Sequence, residues 1–481
     1  MKKRVTLFLL LLLSGMVAAA QNITFDLQPE GKGMLKDDYH FVGCDDGHVV
    51  LIELGGRHTK RFVLNSYSLD QQLLASVDLG KEKDLDPRGG YINGSHVDLL
   101  QVAYPDNGMV VYRDRRSLST LQPEGDTLVL ARYSGEKGDL FGCLMAESPN
   151  RELLAGAYVA YRKAQGMEVK VGLYNHEMEE YWTMTTDLSD IQSIYVNDDG
   201  EVVLYSLEKK GKCRFTVVDG ERIENHEFDL SSSDPIVERG LVRFADGKIL
   251  IAATVCEDRQ TLMPQGSNID CIDFYCYNTA RKHLSVERYR FTNQEVNRLC
   301  NEKDDKYHRR NWIPFGELSQ AIADKEGAYV VIDNAWTVTT NGIPKQYNSA
   351  GMMVMRVNAD GKVLWTHAHR FFATSTNYSW RKYIIQGWLL TPDGIMLAWS
   401  DNAKNSTAPD DKPYKQYKAP SDKSTLNVLL IDKEGKASLT YINTNHMCTY
   451  GSVHRSNTPG KYVAHLRNMK KAQLAVISIE K

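Results

Sequence analysis

The stretch Gly351–Arg370, GMMVMRVNADGKVLWTHAHR, restricts the fold more than any other part of the chain. Two apolar-rich runs, MMVMRV and KVLWTHAH, flank Asn358-Ala359-Asp360-Gly361. Gly361 can supply the positive φ that a tight turn asks for, so the segment predicts a β-hairpin. The pattern recurs as LYNHEMEEYWTM, VVDGERIENHEF, YCYNTARKHLSVERY and LLIDKEGKASLTYI. A second hairpin type alternates with it: FVGCDDGHVVLIEL, IYVNDDGEVVLYSL, VRFADGKILIAAT, AIADKEGAYVVI and LLTPDGIMLAW. Pairs of hairpins repeated at near-regular intervals predict an all-β fold, a single β-propeller of four-stranded antiparallel blades.

With the strands of each unit lettered A to D outward from the axis, the first unit is YHFVGCDDGHVVLIEL followed by KRFVLNSYSLDQQLLASVDL. The second, about Tyr91 to Tyr133, has good strands but an ambiguous pairing. Later units begin near Leu140, Ile191, Leu241, Leu318 and Gly387. The last, from Thr449, offers only three strands before the chain ends. Asn22–Leu27 is a lone strand-like segment without a hairpin partner. Joining it to the last unit fills a blade and removes an open sheet edge. Eight blades are expected, or seven if the second unit is not one.

Loop lengths predict which face binds. In an A-B-C-D meander, A–B and C–D turns share one face, and B–C and D–A connections share the other. The long connections are Glu257–Asp270, Thr292–Glu317, Trp336–Ala350, Phe371–Gln386 and Asp401–Ser424, all assigned to the second face. Long loops on a rigid scaffold are common places for binding. Six of the seven tryptophans fall after residue 300. The expected ligand contacts are Trp312, Tyr378, Trp380 and Arg381, with Arg309 and Tyr414 behind them, because aromatic faces beside arginines suit sugars or acidic groups. The alternative is that such side chains pin the loops to the disc. Val296, Leu299 and Cys300 share a helical spacing, which predicts a short amphipathic helix within Asn293–Arg310.

Composition bounds the rest. Met1–Ala20 has a basic start, the run LFLLLLL and Ala18-Ala19-Ala20, the layout of a signal peptide cleaved after Ala20. Residues 21–481 then form the propeller, exported to the periplasm or beyond the cell. No later run is long enough to span a membrane as a helix. Formal net charge is −3 at pH 7, and beyond residue 20 the balance is 55 basic to 61 acidic side chains, which argues against bulk nucleic-acid binding. The eight cysteines are scattered and include no CxxC pair. Cys256 ends a strand B and Cys271 begins the following strand C, which predicts a disulfide between them, with Cys276 and Cys300 as rival partners.

VNADGKVLWTHAH resembles the repeats of secreted bacterial β-propellers, the quinoprotein-like and related families. The resemblance implies a blade rather than a chemistry. Trp365 alone stands where a tryptophan-docking motif would place it. His367 and His369, two apart on one strand, form at most half of a metal site, so neither metal nor cofactor is expected. His176-Glu177 lacks the second histidine of a zincin, and Ser379–Lys382 has the SxxK spacing without a helix to carry it. The expected function is therefore non-catalytic binding of a protein partner or glycan through the long-loop face. The alternative is a polysaccharide hydrolase or lyase with its site at the propeller axis, since groups converging from separate blades leave no linear motif.

Overall fold

The computed structural model describes residues 22–27 and most of 39–480; the longer stretches it leaves undescribed within and before that range are 28–38, 258–266, 301–311, 376–386 and 408–413. Residues 1–20, read as a signal peptide, lie outside the described residues. The strands form eight blades of four antiparallel strands, one of them widened to six by Ser267–Ile269 and by Tyr417–Ala419, the latter paired parallel. Their first strands are Tyr39–Cys44, Leu85–Asn93, Leu140–Glu147, Ser193–Val196, Ile236–Arg243, Ile313–Ala323, Gly387–Thr391 and Cys448–Arg455. First strands touch one another from blade to blade, which puts them innermost around the axis. No helix among the described residues is long and apolar enough to cross a membrane.

Asn22–Leu27 pairs antiparallel with Ala472–Glu480, from Asn22 opposite Glu480 to Leu27 opposite Ala475. It completes the eighth blade, as its period of two requires: Ile23 and Phe25 pack on the core and Thr24 and Asp26 face solvent. The ambiguous second unit is a regular four-stranded blade from Leu85 to Ser134. The count is eight.

Blades pack through their broad faces, each interface filled by the alternating apolar residues of two sheets. The Gly361 turn adopts φ +84° and rests on the fifth blade, where an added Cβ would stand 2.9 Å from Cys276 Sγ. Trp365 docks on Gly435 of the seventh blade and donates from Nε1 to the Lys433 carbonyl at 2.8 Å. Trp182 packs in the same way on Gly220 of the fourth blade, so the docking assigned to Trp365 alone occurs at two tryptophans among the described residues.

Two local expectations change, and the helix expected between them holds. Trp336–Ala350 is not a loop: strands Gly327–Thr340 and Ile343–Asn358 continue through it, with Trp336 opposite Asn348 and Thr340 opposite Ile343. The β-branched run Thr337–Thr340 ahead of Asn341-Gly342 is a hairpin signal in its own right. The predicted helix, α1 (Asn293–Cys300), buries Val296 and Leu299 against the sixth blade. It is capped reciprocally, Glu295 N–H on Thr292 Oγ1 at 3.3 Å and Thr292 N–H on Glu295 Oε2 at 2.7 Å. The Cys256–Cys271 disulfide is not formed, and Cys271 is a free thiol facing Glu257 Oε1 at 4.0 Å. Cys271 lies directly opposite Val255, so period-two alternation sends the side chain of the next residue, Cys256, toward the other face of the sheet.

Candidate functional site

Two adjoining cavities lie where the inner strands end. The first, about 580 Å³, is lined by the A–B turns of the second, third and eighth blades (Gly94, Asn150, Asn457) and by the C–D turn of the third (His176, Glu177). The second, about 460 Å³, takes short runs of inner strand from the third, fourth, sixth, seventh and eighth blades, with Phe41 from the first. Both open toward the short-turn face. That is the side of the disc opposite the long connections.

Arg151 and Arg455 line both cavities. Arg455 ends the inner strand of the eighth blade and is half-buried. Arg151 sits in the A–B turn of the third blade at φ +64°. Its N–H donates to Ser148 O at 2.8 Å, the bond made in sister turns by Gly200 to Asn197, Gly361 to Asn358 and Gly435 to Asp432. Those three sister residues are glycines at φ +84°, +84° and +86°. An arginine in the left-handed region costs about 1–2 kcal/mol, which glycine at that position avoids. Strain of this kind clusters where a side chain has a task.

Arg151 is steered by its neighbours. Nε donates to Glu147 Oε2 at 2.9 Å, and the guanidinium lies 5.9 Å from the centre of the Tyr91 ring. Tyr91 donates from its hydroxyl to Glu147 Oε1 at 2.7 Å. Burial first, and then the Glu147 charge, push the Tyr91 phenol well above its ordinary range, so it stays a donor. His454, stacked on Phe41, is held neutral, its pKa lowered to about 4 by burial and then by Arg151. Deeper in the second blade, Asp98 is fully buried and receives Arg115 at 2.7 and 2.9 Å and Asn93 at 2.8 Å. Asn457 ties the rim together across three blades, donating to Cys44 O at 2.8 Å and Ile92 O at 2.5 Å.

The contacts expected from sequence are placed elsewhere. Arg309, Tyr378, Trp380 and Arg381 lie outside the described residues. Trp312 is half-buried just before the inner strand of the sixth blade. Tyr414 is 8% exposed, with Arg370 4.6 Å over its ring and His369 against it edge-on at 6.3 Å. It therefore pins its loop. His369 also packs on Trp399 at 4.9 Å, and burial lowers its pKa to about 3. Sequence reasoning missed Arg151 and Arg455; a signal for the former was the absence of glycine from SPNRE where the sister turns read NDDGE, NADGK and DKEGK.

No family model matches the chain, and no curated protein matches it. Among solved structures, the WD40 domain of SCAP from fission yeast is 8% identical with a TM-score of 0.42, covering 96% of this chain and 98% of that one. Prolyl oligopeptidase B from Galerina marginata is 10% identical with a TM-score of 0.40, over 92% of this chain and 55% of its own. Synechocystis ACO is 9% identical with a TM-score of 0.34, over 88% and 91%. At this level of similarity their functions do not carry over.

Proposed function

We propose that the protein is an exported, non-catalytic propeller that binds a glycan or protein partner in the axial cavities of its short-turn face. The observation that carries this reading is the pair Arg151 and Arg455, which reach from the third and eighth blades into both cavities. Cavities of this size, mixed in polarity and held on rigid strands, suit small ligands and the protruding ends of larger ones. The test is a screen of glycans and of proteins from the exported fraction with the wild-type chain and with Arg455→Gln. A ligand that is retained by the wild type and lost by the variant, with melting unchanged, supports the site. Ligands indifferent to the substitution overturn it.

The second reading, a hydrolase or lyase at the axis, draws on the set Tyr91, Glu147 and Arg151. General-base chemistry near neutral pH wants a pKa near the working pH. Tyr91 is displaced the other way. Incubation with acidic and neutral polysaccharides, followed by assay for reducing ends and unsaturated products, decides between the two readings.

A further inference from the structure

We infer that the axial cavities select an acidic saccharide, with Arg455 receiving its carboxylate; this rests on the binding reading above. The argument starts from the charges on the walls. Arg115 is matched by buried Asp98 and stands 3.7 Å from Glu177, which also lines the first cavity, and Arg151 is matched by Glu147. Arg455 has no acidic partner among the described residues. A half-buried guanidinium without a counter-charge has lost part of its hydration and gained nothing in return, so an incoming carboxylate is favoured there.

The rest of the lining fits a sugar better than a peptide. Trp388 and Tyr195 line the second cavity and offer aromatic surface for the C–H side of a ring. Nδ2 of Asn93 and of Asn457 is spent on neighbouring protein groups, which leaves the Oδ1 atoms as acceptors for hydroxyls. A peptide bound in extended form needs a strand edge running alongside it. Here the inner strands each contribute only short runs, such as Ile194–Val196, Ala321–Ala323 and Leu389–Leu390. Short runs from many blades recognise a compact ring.

The experiment is titration calorimetry at low ionic strength with trimers of galacturonate, guluronate and glucuronate, each compared with its methyl ester. The ester keeps the sugar and removes the charge. At least one acid should bind roughly tenfold or more tighter than its ester, the scale of a charge-assisted contact. Arg455→Gln should bring the acid to the level of the ester without affecting the ester, and Arg455→Lys should restore part of the difference. Tyr195→Ala should weaken both forms, because it removes a wall and not a charge. Equal binding of acid and ester, indifferent to Arg455→Gln but sensitive to Tyr195→Ala, overturns the charge inference and leaves the cavity reading standing. Arg455-dependent binding of a glutamate-rich hexapeptide with no saccharide binding overturns the saccharide class. Failure of every probe to bind removes the acidic-saccharide inference, and ligands found by the wider screen then decide the cavity reading separately.

Discussion

Phe41 and His454 stack face to face, ring centroids 3.9 Å apart and planes 7° from parallel, across the seam where the first and eighth blades meet. Burial, and then the charge of Arg151, keep this imidazole neutral by lowering its pKa to about 4. His465 and His369 are held down in the same way, each to about 3. Below pH ~6.5, the ordinary histidine value, the unfolded chain takes up protons that the folded chain refuses, so stability is lost as pH falls toward 4. Asp401, raised to about 7 by burial, acts in the opposite sense over much of this range but is one group against four histidines, since burial lowers His367 as well. The melting temperature should therefore drop from pH 7.5 to pH 5, and His454→Phe should make the drop shallower. An equal drop in the variant would contradict the assignment.

Closure of the ring predicts the effect of truncation. Removing residues 21–27 strips the outer strand from the eighth blade and exposes the surface that Ile23 and Phe25 cover. Burying two such side chains in part, with six residues of pairing, should contribute about 2 kcal/mol or more. Urea unfolding of the shortened chain measures it. A midpoint unchanged from the full chain would mean that the strand is dispensable.

The strained turn at Arg151 makes a comparison of two variants informative. Arg151→Gly and Arg151→Ala both lose the Glu147 ion pair, but only glycine accepts φ +64° without cost. The glycine variant should be more stable than the alanine variant by ~1 kcal/mol, the reverse of the usual order, while both lose ligand affinity. Thermal melts of the pair check the first claim independently of any ligand.

Gly361 tests how the hairpin turn is held against the fifth blade. Alanine there meets Cys276 Sγ and Phe274 Cβ as well as the φ of +84°, whereas alanine at Gly125, φ +76°, meets nothing within 4 Å. Gly361→Ala should cost about 2–3 kcal/mol and Gly125→Ala about 1. Equal costs would show that the turn does not pack as described.

The two faces can be told apart with one substitution on each. Trp312→Ala probes the long-loop set of Arg309, Trp312, Tyr378, Trp380, Arg381 and Tyr414, and Tyr195→Ala probes the axial cavities. Loss of about 1–3 kcal/mol of binding is expected from Tyr195→Ala alone. The reverse result would move the ligand to the loop face.

The blade was written locally. Asn358–Gly361 with its flanking runs specifies a hairpin, repetition of that pattern specifies a propeller, and the alternation in Ile23 and Phe25 marks the strand that closes it. Period two and turn chemistry act over a few residues, so a reader of the sequence can follow them. Tertiary structure decided the rest. Cys256 and Cys271 are close in sequence, but the register with Val255 opposite Cys271 separates their faces. Tyr414 looked like a ligand contact until packing placed Arg370 and His369 against its ring. The cavities gather Phe41, Arg151, Tyr195, Trp388 and Arg455 because the inner strands of separate blades converge on one axis. Convergence across so much intervening chain imposes no spacing on the sequence, which is why the axial site has no motif.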